Sequence, residues 1–398
     1  MRNLLLITGL LLFFLAEVLR IYFVLPYTVN QEIHATQIAY FSYENIVWIR
    51  IVALLLVAYP ALNIFRNGKI WKKIALFTCV MISIIAAYYS NIYLNASHKY
   101  QPLAIKNFTL KRDNKISTDK QIIGVSLNGE TKAYPLQLVG YHHFITDTIG
   151  NKPVLITYCT ICRSARVYSL LVNGKPDKFE LVGLNRFNAV LKDSATKSWW
   201  QQATGVAIAG PMKGKSLNEL SFQQASLSSW LRKYPGSKIL QPDPRYAQQY
   251  ALLESYDKTA FKNGIIETDS ATYSAKSLII GFVNKSRGHS YDWNKINYVK
   301  MFEDTLPGTP FLITVEGDNT SFHVWKRDVK DHVLEFEKTK NANEITDINT
   351  SSIWNMDGHC IEGELKGTQL EEIQSYQETR ESWNSFHPNT DESDIPAH

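Results

Sequence analysis

The chain has 398 residues, 45% of them hydrophobic and 20% charged, with a formal net charge of +5. That length allows more than one packed domain, and the composition is that of an ordinary globular protein rather than a disordered one. The small, scattered positive charge argues against nucleic acid as a partner, and 4 cysteines are too few to make a chain this long a disulfide scaffold.

In chain order, the first hundred residues read as membrane. "LLLITGLLLFFLAEVLRIYFVL" (4–25), "VWIRIVALLLVAYPALNIF" (47–65) and "IALFTCVMISIIAAYYSNIYL" (74–94) are each long enough to cross a hydrocarbon core of roughly 30 Å. The first has too long an apolar stretch for a signal peptide and shows no small-residue cleavage site. Three spanning helices are expected within residues 1–96. The loop "RNGKIWKK" (66–73) is strongly basic, whereas 26–46 contains no Lys or Arg. The positive-inside rule then puts 66–73 in the cytoplasm and everything after about residue 96 outside. The expectation is a multi-pass protein of the inner (cytoplasmic) membrane with a periplasmic C-terminal part. Glu17 and Arg20 stand three apart on one helical face and read as a neutralised packing pair rather than an ion pathway. Cys79, in an apolar run, reads as a small packing residue.

Beyond the membrane segments the sequence repeats itself. "IIGVSLNGETKAYPLQLVGYHHFITDTIGNKPVLIT" (122–157) lies over "IIGFVNKSRGHSYDWNKINYVKMFEDTLPGTPFLIT" (279–314) without a gap. Gly124, Tyr134, Asp147 and Pro153 meet Gly281, Tyr291, Asp304 and Pro310. "WWQQATGVAIAGPMKGKSLNEL" (199–220) then pairs with "IWNMDGHCIEGELKGTQLEEI" (353–373), and "SSWLRKYP" (228–235) with "ESWNSFHP" (381–388). Three matches in one order imply a duplicated unit. The expected fold is α+β: three transmembrane helices, then two strand-rich copies over 97–240 and 276–398 packed as a pseudo-twofold pair. Residues 241–275, rich in Tyr, Asp and Pro, join them as a linker or lid. The Asp/Glu/Ser-rich tail beyond about 389 is expected to fray. Within the first copy, Asn128-Gly129 and Asn173-Gly174 each signal a hairpin. "QLVGYHHFITD" has helical apolar spacing with Gly150 as its stop, and "KPVLITY" suits a central strand.

These blocks carry a resemblance. "YHHFITDTIGNKPVLITYCTIC", "SWWQQATGVAIAGPMKGKSL" and the echo "GHCIEGELKG…SWNSFHP" resemble the bacterial and archaeal domain-of-unknown-function 3179 family over most of 100–398. The resemblance implies a secreted or membrane-anchored protein and no particular reaction, since the family is known by its motif. In the family pattern a histidine followed by an acid precedes the strand. His142 takes the first place here and His143 replaces the acid. Arg163 after the cysteine pair agrees with the pattern.

The duplication singles out the cysteines. At the constant offset, Cys159 and Cys162 fall opposite Glu316 and Asn319, and His142 and His143 opposite Val299 and Lys300. Framework residues recur in both copies, so residues present in one copy are better candidates for a site. The stretch after Cys162 alternates like a strand, so the pair sits on a strand–turn–strand rather than at the helix N-terminus that would favour a thiolate. No second CxxC exists to complete a structural zinc site. A soft ion such as copper(I) needs only two thiolates with an imidazole, which Cys159, Cys162 and His142 or His143 could supply. The expected function is therefore binding of copper or another transition metal, or metal-coupled redox, with Cys159 and Cys162 as the reactive groups. A thiol–disulfide oxidoreductase remains an alternative. So does a non-enzymatic scaffold for an envelope protein or small ligand, with a structural disulfide. Cys159 as a nucleophile with His142 oriented by Asp147 is a further possibility. Elsewhere the expectations are bland. Asp193 caps the turn before "SWW", Trp199 and Trp200 are core, Cys360 is small and buried, and His289 is exposed. "IAGPMKGKS" lacks the spacing of a phosphate loop.

Overall fold

The computed structural model describes residues 2–22, 33–254, 256, 277–330, 332–392 and 395. The chain forms two compact units, Met1–Pro102 with Leu170–Leu217, and Leu103–Ser169 with Asn218–His398. This division runs across the repeat boundaries expected from sequence. Most of the expected linker or lid, residues 257–275, lies outside the described residues.

The first unit contains three helices long and apolar enough to cross a membrane: α1 (Arg2–Tyr22), α2 (Ile33–Asn67) and α3 (Ile70–Tyr88), the last running on as a π-turn to Tyr93. Their outer faces carry Leu11, Leu54, Leu55, Ile74 and Phe77, all exposed, as lipid contact requires. Cys79 is exposed as well, so its apolar run is a lipid-facing surface rather than a packed core. Helix α2 begins well before the expected residue 47 and has 35 residues, which is about 52 Å at ~1.5 Å per residue. Its extra turns hold polar as well as apolar residues, which a hydropathy reading leaves out. They pack on a four-stranded sheet of Phe179–Asn185, Asn188–Asp193, Trp199–Gln201 and Ala207–Ala209. Trp199 meets Tyr40 and Tyr43 edge-on, and Lys192 Nζ lies 2.7 Å from Glu44 Oε1. Glu17 and Arg20 are buried, and Arg50 of α2 joins them, with Nε 2.6 Å from Glu17 Oε1.

The second unit is strand-rich. Its first stretch runs β1 (Gln121–Leu127), β2 (Glu130–Pro135), α4 (Leu136–His142), β3 (Phe144–Ile149), β4 (Lys152–Cys159) and β5 (Ser164–Ser169), and after residue 217 come β6 (Gln223–Ser226) and α5 (Leu227–Lys233). The later part runs β7 (Leu278–Asn284), β8 (Arg287–Asp292), α6 (Trp293–Val299), β9 (Met301–Leu306), β10 (Thr309–Val315) and β11 (Phe322–Lys326), ending with β12 (Ser375–Thr379) and α7 (Arg380–Phe386). The element order of the two stretches is the same. Strand β4 is the centre of the antiparallel β3-β4-β5 sheet and β10 the centre of β9-β10-β11. The β1–β2 turn has Asn128 and Gly129 at φ 49° and 81°, the left-handed pair that a two-residue hairpin needs.

Four details differ from the sequence expectation. Helix α4 stops at His143, whose φ of 61° ends it, and Gly150 belongs to the β3–β4 turn. The β-branched run Phe144–Ile149 pairs as a strand, overriding an apolar spacing that also fits a helix. His289 is buried at 3% exposure because its side of β8 packs on Phe282, and that burial lowers its pKa. The tail is held to at least Glu392, which with Asp391 pairs in parallel with β8.

Candidate functional site

Cys159 is the last residue of β4 and pairs with Ser164, the first of β5. Thr160 to Arg163 make the turn between them, closed by Arg163 in the left-handed region at φ 56°. The expected strand–CxxC–strand arrangement is present, and Cys162 does not open a helix. Both cysteines are buried, at 0% and 2% exposure, and neither is in a disulfide. Three contacts hold the turn. Tyr256 Oη donates to Thr160 O at 2.5 Å, the Arg163 guanidinium lies over the Tyr256 ring and donates to its carbonyl, and Thr379 N donates to Cys162 O at 2.8 Å. Arg163 is thus engaged by Tyr256, whose phenol burial pushes above its ordinary pKa.

His142 lies on the neighbouring helix, which packs close to the turn through Gly140; a Cβ there would sit 3.2 Å from Thr160 Cγ2. The imidazole is fully buried, with Nε2 2.7 Å from Tyr250 Oη and the rings of Tyr141 and Tyr246 each 4.9 Å away. Residues 243–254 and 256 therefore form a tyrosine-bearing strap over α4 and the cysteine turn. His143, the left-handed helix cap, is buried beside it, and Lys300 caps α6 with a matching φ of 64°. Among the described residues, the His, Cys, Asp and Glu donors that gather in threes within 4.8 Å are Glu316, His323 and Asp357. That set includes none of Cys159, Cys162, His142 and His143. Asp147 does not orient His142. It accepts from Tyr134 Oη at 2.6 Å and Lys132 Nζ at 3.0 Å, because β3 directs it to β2. Its counterpart Asp304 accepts likewise from Tyr291.

Sequence reasoning missed the polar cluster at the later stretch. Glu316 follows β10 and His323 lies on β11, both buried. His323 Nε2 is 3.2 Å from Glu316 Oε1 and Nδ1 is 2.8 Å from Glu372 Oε1. Glu316 also accepts from Ser229 Oγ and from Arg232 Nη2, each at 2.7 Å. Burial acts against both charges, yet hydrogen bonding and the opposite charge outweigh it: Glu316 falls to about 2 and His323 rises to about 9. The offset that sets Cys159 opposite Glu316 also sets Arg166 opposite His323. Arg166 is buried too, with Nη2 2.6 Å from Glu378 Oε1. A signal for the cluster therefore lay in that same offset, in the charged residues that the later stretch has where the first has a thiol or a guanidinium.

Other expectations stand on direct contacts. Asp193 accepts from Thr196 N, Ser198 N and Trp200 Nε1, which makes it a turn cap, and Asp347 repeats the bond to Trp354 Nε1 at 2.8 Å. Trp199, Trp200 and Cys360 are buried.

Three apolar helices with a strand-rich α+β unit bearing a buried cysteine turn define a membrane-anchored class of protein. Residues 104–390 match the family described as "Protein of unknown function (DUF3179)", and the chain belongs to that family. No curated protein and no solved structure matches the chain.

Proposed function

We propose that this is an envelope protein of the inner membrane that binds a soft transition-metal ion, of the copper(I) kind, at Cys159 and Cys162. The observation that carries the reading is a pair of buried, unbridged thiols three residues apart on a strand–turn–strand that Tyr256 and Thr379 hold by hydrogen bonds. Two thiolates suit a soft ion that accepts low coordination, whereas zinc asks for four ligands. A thioredoxin-like reaction is less well supported, because no helix dipole stabilises a thiolate here. His142 is committed to Tyr250 and acts as a positioning residue, fixing the strap over the turn rather than ligating. The common element order and paired contacts of the two stretches support a duplicated outer domain with pseudo-twofold symmetry, and the basic loop 66–73 supports its periplasmic placement.

Metal content of the purified full-length protein, loaded anaerobically with copper(I), tests this. Wild type is expected to retain about one copper per chain with X-ray absorption showing sulfur ligation, and Cys159→Ser/Cys162→Ser to lose it. His142→Ala is expected to keep the stoichiometry. Equal copper in wild type and the double variant would sink the proposal.

A further inference from the structure

Within the second unit a cavity of about 310 Å³ opens beside the His323 cluster, at the lower end of the ~300–1,000 Å³ range of small-molecule sites. Its wall draws on β1, β6, α5 and the segment leading into β12. The chemistry of that wall is specific. Phe222 and Tyr234 offer apolar ring surface, and Ser126, Ser221, Ser375 and Gln224 offer neutral polar groups. Gln224 Oε1 is taken by Gln377 N at 3.1 Å. The Gln224 amide nitrogen and the three serine hydroxyls form no hydrogen bond among the described residues.

Charge in and behind the wall is balanced. Arg232, Lys233 and protonated His323 stand against Glu316, Asp357 and Glu372, each joined to an opposite charge at 4.0 Å or less. The wall therefore offers a charged ligand no surplus of the opposite charge, since each cation in or behind it already faces an anion. An apolar ligand would cover the serine hydroxyls and the amide without giving them partners, which is unfavourable. What remains is an uncharged molecule with many hydroxyls and a flat hydrocarbon face to set against an aromatic ring.

We propose that this cavity binds a neutral carbohydrate of one or two sugar rings. The proposal is independent of the thiol pair. The test is saturation-transfer NMR on the full-length protein in polymer nanodiscs, which avoids sugar-headed detergents. The probes are glucose, galactose, N-acetylglucosamine and its β-1,4 disaccharide, with glycylglycine and inorganic phosphate as controls. Transfer to at least one saccharide is expected, weakened at least tenfold by Tyr234→Ala and abolished by Ser126→Trp, which fills the cavity from an exposed strand position. Cys159→Ser/Cys162→Ser is expected to bind saccharide like wild type. No transfer to any saccharide, transfer unchanged by Ser126→Trp in protein of wild-type melting temperature, or binding confined to the dipeptide or phosphate would each overturn it.

Discussion

His323 lies between two carboxylates, one on each ring nitrogen, and can donate to both only as an imidazolium. Its pKa rises from the ordinary 6.5 to about 9, so its contribution to stability is full below about 6.5 and is lost as pH rises through about 9. Glu316 falls from 4.5 to about 2, so its contribution is present above 4.5 and is lost as pH falls through about 2. The pair together stabilises most between 4.5 and 6.5. We expect the melting temperature of the wild type to fall between pH 7 and 9 more steeply than that of His323→Gln, with the two curves converging at the alkaline end. Near pH 6 the variant is expected to be less stable by about 3 kcal/mol, the scale for losing one partner of a buried pair. Parallel curves across that range would show that His323 does not carry the proton. In the sequence no local motif marks this residue, a lone histidine in "FHVWK", and only the offset that sets it opposite Arg166 points to it. The cysteines are visible because their spacing is itself a motif, and His142 because the family pattern names it. Neither signal reports which side chain Tyr250 engages, because that depends on a fold contact 108 residues apart in sequence.

At the scale of elements, two glycines at matching places in the two stretches explain how a later helix packs on each. A Cβ on Gly124 would lie 2.3 Å from Trp230 Cε3, and one on Gly281 would lie 2.6 Å from Trp383 Cε3. Each glycine lets the indole of a later helix, α5 or α7, rest on the strand backbone. Gly124→Ala is therefore expected to lower stability by about 1–3 kcal/mol, the usual cost of overpacking a core. Gly236→Ala, with open space around the added carbon, is expected to stay within about 0.5 kcal/mol. Thermal unfolding of the two variants in the same membrane mimetic checks this, and equal melting temperatures would remove the close contact as the reason for the glycine. Hairpins and central strands are legible in the sequence because Asn-Gly turns and β-branched runs act locally. The α4–β3 boundary is not, because 136–149 satisfies a helical spacing and a strand propensity at once, and sheet pairing decides between them.

For the whole molecule, length and apolarity make the membrane spans legible, but not the long extension of α2, whose turns gain their stability from Trp199 and the sheet of the same unit rather than from lipid. Orientation rests on a different physical quantity, the bias of Lys and Arg among loops. Four basic residues fall between Arg66 and Lys73 on the α2–α3 connection. If that bias holds the connection on the cytoplasmic side, the β1–β2 hairpin, which belongs to the chain beyond α3, is expected to face the periplasm. Asn128 at the tip of that hairpin and Asn67 at the end of α2 are both exposed, so a cysteine at either is accessible to a reagent on its own side of the membrane. In intact spheroplasts a membrane-impermeant maleimide is expected to label Asn128→Cys and to leave Asn67→Cys unlabelled until the membrane is permeabilised, each in a background with Cys79 replaced by Ala to remove the exposed native thiol. The reverse pattern would place the thiol pair in the reducing cytoplasm. There, glutathione competes for copper(I), and a two-thiolate site would have to hold the ion against that excess, so the orientation decides how tight the proposed site needs to be.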